Sequence, residues 1–121
     1  MTLSRILTLA ARGFGVVALV LGLFWWAGFY AVPLVAHMAA GWLFVLALFG
    51  LAAMALTRST AIAVVAFLAG ALVPALGLAQ QRMGLGEAQW LLWGGHVVVA
   101  ILAIGLAEMV AKRARPSGAN A

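Results

Sequence analysis

Four long stretches of this chain are almost wholly apolar, and short polar or glycine- and proline-containing breaks separate them. A bilayer core of about 30 Å takes roughly 20 apolar residues in helical conformation. Residues 13–31, 34–56, 61–79 and 89–111 meet that length. The breaks fall at Pro33, at Thr57-Arg58-Ser59-Thr60 and over residues 80–87. Unpaired strands would strand backbone polar groups in lipid, and the alternation expected of a β-barrel is absent. The pattern therefore predicts an all-α fold: one integral membrane, up-and-down four-helix bundle over residues 1–121. Leu3, Ile6, Leu7 and Ala10 recur at helical spacing, so the first twelve residues read as a short interfacial helix. Residues 112–121 read as a short basic tail, disordered from Pro116 onward.

Charge gives the bundle a direction. Four spans place both termini on one side, and Arg5, Arg12, Lys112, Arg113 and Arg115 lie there together with Arg58 of the middle loop. The other side receives Arg82, offset by Glu87. The positive-inside rule then puts both termini in the cytoplasm and the chain in the inner (plasma) membrane of a bacterial cell. Trp25, Trp26, Phe29, Tyr30, Trp42, Trp90 and Trp93 all fall towards the outer interface, the headgroup level that such amphipathic rings favour. Arg5 and Arg12 before an apolar run resemble a signal peptide, but no small-x-small cleavage site follows and bulky aromatics stand in its place, so this segment reads as a retained first span.

Composition narrows the chemistry. The chain is 68% hydrophobic and 7% charged, with two acidic residues against seven basic ones, where soluble domains carry roughly 25% charged residues. The basic residues sit at helix ends rather than on a folded soluble surface, which excludes nucleic acid as a partner and leaves the lipid bilayer. Without cysteine there are no disulfides, thiolate metal sites, iron–sulfur clusters or covalently attached haem. No phosphate-binding glycine loop, nucleophile elbow or carboxylate pair is present, so the sequence holds no sign of a hydrolase or nucleotide-using enzyme.

Three ionisable residues fall inside spans, where their burial is costly. His37 near the start of span two and His96 about two turns into span four belong to the same outer half of the membrane. Helical periodicity groups His96 with Ala100, Ala103 and Ala107, and His37 with Gly41, Phe44, Leu48 and Ala55. Gly41 lies one turn beyond His37, and Gly94-Gly95 precede His96, leaving room for close packing or a flat macrocycle. Two facing neutral imidazoles are the axial ligand set of a low-spin b-type haem, with iron held by His37 and His96. In that reading Arg82 meets a haem propionate, Gln80, Gln81 and Trp93 edge the pocket, and the partner is a membrane redox protein, a quinone or a larger membrane complex. Two alternatives stand beside it: structural histidines in an accessory or scaffold subunit, and a small proton-coupled transporter. Two histidines without a third ligand make a poor zinc site.

Glu108, one turn before Lys112, reads as a favourable pair within its own helix. Pro74 predicts a kink in span three, and Gly70, Gly77 and Gly105 predict close helix contacts. Gly50-Leu51-Ala52 after His37 and Gly105-Leu106-Ala107 after His96 suggest a duplicated hairpin, with spacings four residues apart. The chain is similar in kind to small bacterial four-span membrane proteins with a histidine near the start of helices two and four. Residues 88–115 carry that likeness, through Gln89-Trp90, His96 and Gly105-Leu106-Ala107-Glu108 before a basic end. It also resembles a minimal form of four-helix di-haem membrane cytochromes, which implies haem binding and electron transfer. Those use more histidines, and the pair here limits the chain to one haem. Four-span multidrug transporters carry an essential glutamate in a first span, and this first span has no acidic residue. Succinate-dehydrogenase anchors are typically three-span, with polar motifs this chain lacks.

Overall fold

The protein's structure, a computed structural model, describes residues 1–116 and 118. It consists of helices α1 (Leu3–Trp26), α2 (Leu34–Ala55), α3 (Thr60–Arg82) and α4 (Gln89–Ala114), with a single 3-10 turn at Gly86–Ala88 leading into α4. All four helices are long and apolar enough to cross a membrane, which makes this a multi-pass membrane protein by length and composition. No described residue lies in a strand. Helix α1 starts at Leu3, so the segment expected to lie along the interface is continuous with the first span. The side chains explain this continuity. Thr2 caps the helix by accepting the Arg5 N–H, and Thr8 donates to the Ser4 carbonyl at 2.7 Å, so buried Ser4 and Thr8 keep partners within the turn. At the other end of the chain, α4 runs through Lys112 and Arg113 to Ala114, where a tail was expected; beyond it only Arg115, Pro116 and Gly118 are described.

The turn from α1 to α2 closes by a glycine device. Gly28 adopts φ +93°, the Phe29 N–H bonds the Phe24 carbonyl at 2.9 Å, and the Gly28 N–H bonds the Trp25 carbonyl at 3.1 Å. This is the left-handed stop that satisfies orphan carbonyls at a helix end. The Trp25 indole N–H then donates to the Val32 carbonyl at 2.6 Å, tying the turn back to α1. At the end of the bundle that carries both termini, the Arg58 guanidinium donates to the carbonyls of Arg113 and Arg115, and Arg113 reaches Ser59. The middle loop thereby caps the last turn of α4.

Each helix packs on its neighbour in the cyclic order α1, α2, α3, α4, with α2 and α4 also touching across the diagonal. The core has a marked position along the bundle axis. Buried hydrophobic residues reach Ala18 in α1, begin at Ala40 in α2, reach Val73 in α3 and begin at Ala103 in α4. Most lie in the half nearest the termini. Leu48, Leu51, Val45 and Val110 are the largest, and alanines fill most of the rest, so the helices approach closely there. Beyond those limits, towards the opposite end, no described hydrophobic side chain is buried.

The two hairpins repeat each other in register. A shift of 55 positions carries the buried Thr8, Ala11, Gly15 and Ala18 of α1 onto the buried Ala63, Ala66, Gly70 and Val73 of α3. A shift of 59 carries the buried Phe44, Leu48, Leu51, Ala52 and Ala55 of α2 onto Ala103, Ala107, Val110, Ala111 and Ala114 of α4. The second hairpin is thus four residues, about one helical turn, longer between its helices. His37 and His96 are related by the same shift of 59. The two Gly-Leu-Ala triplets are not: Gly50 corresponds to Met109, so that echo is a coincidence of an alanine- and leucine-rich chain.

One pair breaks the repeat. Arg12 donates from Nε and Nη2 to the two carboxylate oxygens of Glu108 at 2.6 and 2.9 Å, across the α1–α4 seam. The corresponding residues on the other seam are Phe67 and Phe49, which stack with ring centres 5.4 Å apart. Glu108 therefore turns to a residue 96 positions away rather than along its helix to Lys112. The fork geometry is good, but both side chains are partly exposed, at 53% and 39%. A double-mutant cycle with Arg12→Gln and Glu108→Gln, read by thermal unfolding in detergent, is expected to give a coupling of no more than about 1 kcal/mol.

Candidate functional site

Both histidines come together in the loosely packed half. Their ring centres lie 6.2 Å apart with the planes inclined at 74°. Each imidazole stands against a glycine on the preceding helix of its own hairpin. Within a helix, the side chain at one position screens the carbonyl four residues earlier, so a glycine leaves that carbonyl open. Gly22 opens the Ala18 carbonyl, and His37 Nδ1 bonds it at 2.8 Å. A carbonyl only accepts, so His37 Nδ1 is the donor in this bond. Gly77 stands in the same relation to Val73, whose carbonyl lies near the His96 ring. His96 Nδ1 is nonetheless buried with no hydrogen bond among the described residues. A Cβ on Gly22 would lie 2.8 Å from His37 Cε1, and one on Gly77 would lie 3.2 Å from His96 Cε1. The close approach of ring to backbone therefore requires glycine at both places.

Around the rings are two cavities. The larger, about 290 Å³, lies between α1 and α4 and is walled by Trp25, Trp26, Tyr30 and Trp93. The smaller, about 70 Å³, lies between α2 and α3 against Met38, Gly41, Trp42 and Pro74. They obey the same repeat as the core. The α1 positions of the first (18, 19, 22, 23, 25, 26) become the α3 positions of the second (73, 74, 77, 78, 80, 81) on adding 55. Five residues border both spaces: Leu34, His37, Gln80, Gln81 and His96. The two cavities are the halves of one slot, with the imidazoles at its centre and two carboxamides at its mouth. Small-molecule sites enclose roughly 300–1,000 Å³ and are mainly apolar with a few placed polar groups, which describes this slot.

The residues singled out from the sequence divide accordingly. His37, His96, Gln80, Gln81 and Trp93 border the larger cavity, and Gly41 borders the smaller. Gly95 and Arg82 border neither. The Cβ positions of Gly41, Gly95 and Gly105 face open space, whereas Gly70 packs on Phe49 and Leu48. The glycines that seat the rings, Gly22 and Gly77, lie on the helices preceding the histidines, and Gly22 escaped the sequence analysis entirely. The signal was available: Gly15 and Gly22 of α1 and Gly70 and Gly77 of α3 share a seven-residue spacing.

Chemically, the arrangement offers two nitrogen ligands and no more. Among the described residues no group of three or more histidine, cysteine or acidic side chains gathers to hold a metal ion. A metal bound here would need its remaining ligands from elsewhere. Two metal–nitrogen bonds of about 2 Å, with roughly 1 Å from each nitrogen to its ring centre, span about 6 Å. That is the separation of the two rings. No known protein family matches the chain, and no curated protein or solved structure matches it either.

Proposed function

We propose that the chain is a small b-type cytochrome that holds one haem between His37 and His96. The observation that carries this reading is the doubled seat: two imidazoles 6.2 Å apart, at the centre of a two-winged apolar slot, each beside a glycine-opened carbonyl. A porphyrin brings four nitrogens of its own, so two protein ligands complete the coordination that two histidines alone cannot. The Ala18 carbonyl fixes the tautomer and orientation of His37, as carbonyl and carboxylate partners do for metal-ligating histidines generally. Haem would supply a one-electron couple, and the buried, apolar setting would tune its potential. The chain's own part is to exclude water, orient the two nitrogens and present the slot's mouth to a partner.

The positive-inside rule places the terminal end, with Arg5, Arg58, Lys112, Arg113 and Arg115, in the cytoplasm of a cell whose plasma membrane holds the chain. The slot then lies in the outer half of the membrane, where a membrane redox protein, a quinone or a larger complex would exchange electrons with it. Stoichiometry tests the proposal. Haemin titrated into the purified chain in lipid nanodiscs is expected to saturate at one equivalent, measured as the pyridine haemochrome. Failure to retain haem after gel filtration would overturn it.

A further inference from the structure

The two wings of the slot are equal by register but unequal in form, and the inequality has a direction. On the α2–α3 side, Met38 and Trp42 crowd the smaller wing. Their counterparts on the α1–α4 side are Val97 and Ile101, both smaller, and Ile101 does not border the cavity at all. The α1–α4 side thus keeps about 290 Å³ where its counterpart keeps about 70 Å³. Helices α2 and α3 are joined by a short loop, whereas α1 and α4, the first and last helices, have no connection across their seam. Among described residues, α1 beyond Ala18 and α4 before Ala103 bury nothing, so nothing packs the distal part of this seam shut. Its proximal part is pinned by the two-pronged Arg12–Glu108 pair. The seam is fastened below and open above.

We infer that the α1–α4 seam is the portal through which the site takes its ligand sideways from the bilayer, with the Arg12–Glu108 pair holding the two helices together beneath the opening. This rests on the haem reading for the identity of the ligand and adds the route. A flat, largely apolar amphiphile dissolves among lipid chains and reaches the imidazoles at their own depth. The walls it meets first, Leu23, Trp26 and Val97, are apolar, and the polar carboxamides of Gln80 and Gln81 lie at the mouth, where the ligand's acidic edge comes to rest. The opposite seam, narrowed by Met38 and Trp42, is in this proposal the blind wing.

The absence of cysteine makes a direct test available. One variant carries Leu23→Cys and Val97→Cys on the two sides of the portal. A second carries Leu78→Cys and Met38→Cys, the positions that correspond to them on the blind side. Each is placed in nanodiscs, and haemin uptake is followed at the Soret band with and without a bis-maleimide bridge. Each variant is its own control for folding, since only the bridge differs. Bridging the α1–α4 pair is expected to slow uptake by at least about tenfold, and several times more than bridging the α2–α3 pair, whose residues also line the slot. Haem loaded before bridging is expected to stay bound. Ile101→Trp, which copies the blind wing's cover onto the portal, should slow uptake in the unbridged protein and reach the same final spectrum. Equal slowing by both bridges, or slowing by the α2–α3 bridge alone, would overturn the portal. A wild-type chain that takes up no haem would overturn the haem assignment instead, so the two failures are distinct.

Discussion

His37→Ala and His96→Ala are each expected to abolish retention of haem, lowering affinity by roughly a hundredfold or more, as loss of one of two axial ligands removes several kcal/mol of binding. The two should be about equally damaging, because the slot presents the rings as counterparts. Small imidazole added from solution is expected to restore part of the binding to both variants, since alanine leaves room for it beside an otherwise intact slot. Apo forms of both variants should keep wild-type helicity and elution volume, because neither ring is among the buried core residues. Retention of haem by either variant at wild-type affinity would mean that iron is held elsewhere.

Gly22→Ala is the second large effect. Its Cβ would stand 2.8 Å from His37 Cε1, too close for any real contact, and the imidazole would have to leave the Ala18 carbonyl. Losing such a supporting hydrogen bond lowers metal affinity by about 10- to 100-fold in comparable sites. Gly77→Ala places its Cβ at 3.2 Å from His96 Cε1, a milder crowding that the ring relieves by a small shift, so a smaller loss is expected. Gly95→Ala meets nothing within 4 Å and borders neither cavity, so it is expected to bind as wild type. Haemin titration of the three variants side by side gives the order Gly22 worst, Gly77 next, and Gly95 unaffected. An equal loss at Gly95 would contradict the seating described here.

Much of this architecture is legible in the residues themselves. Long apolar runs with no alternation fix helices in lipid, and their number brings His37 and His96 to one half of the membrane. What periodicity cannot supply is a partner on another helix. A stripe drawn on α4 pairs Glu108 with Lys112 because both lie on it, but Arg12, 96 residues away, takes the carboxylate with two hydrogen bonds. The same blindness directed attention to Gly41 and Gly95, which flank the histidines in sequence. Each ring in fact leans on the helix before it, against Gly22 and Gly77. The start of α1 at Leu3 was hidden for a different reason. Ser4 and Thr8 look polar in the sequence, yet hydrogen bonds within the turn let them be buried. The repeat was visible only in part. Its four-residue difference between hairpins conceals it from direct comparison, whereas the buried positions reveal two shifts, 55 and 59, at once.

The repeat also explains why the site lies where it does. Two hairpins related by a near two-fold axis place equivalent residues face to face along that axis. In the half nearest the termini, those residues are alanine, leucine and valine, and the bundle closes. In the other half they are the two histidines, which are too polar to pack dry against each other without a partner for their nitrogens. The bundle opens there into a slot with matched wings. Symmetry pairs the two imidazoles, and its local breakdown at Trp42 and Ile101 leaves one wing larger than the other.

The most direct measurement is a dithionite-reduced minus air-oxidised visible spectrum of the detergent-purified protein, expressed with haem supplied. The account predicts a sharp α-band and a Soret shift typical of a six-coordinate, low-spin b-haem, both lost in His37→Ala and in His96→Ala. A flat difference spectrum from protein that is folded and monodisperse would contradict it, and would leave the paired imidazoles as a feature of packing alone.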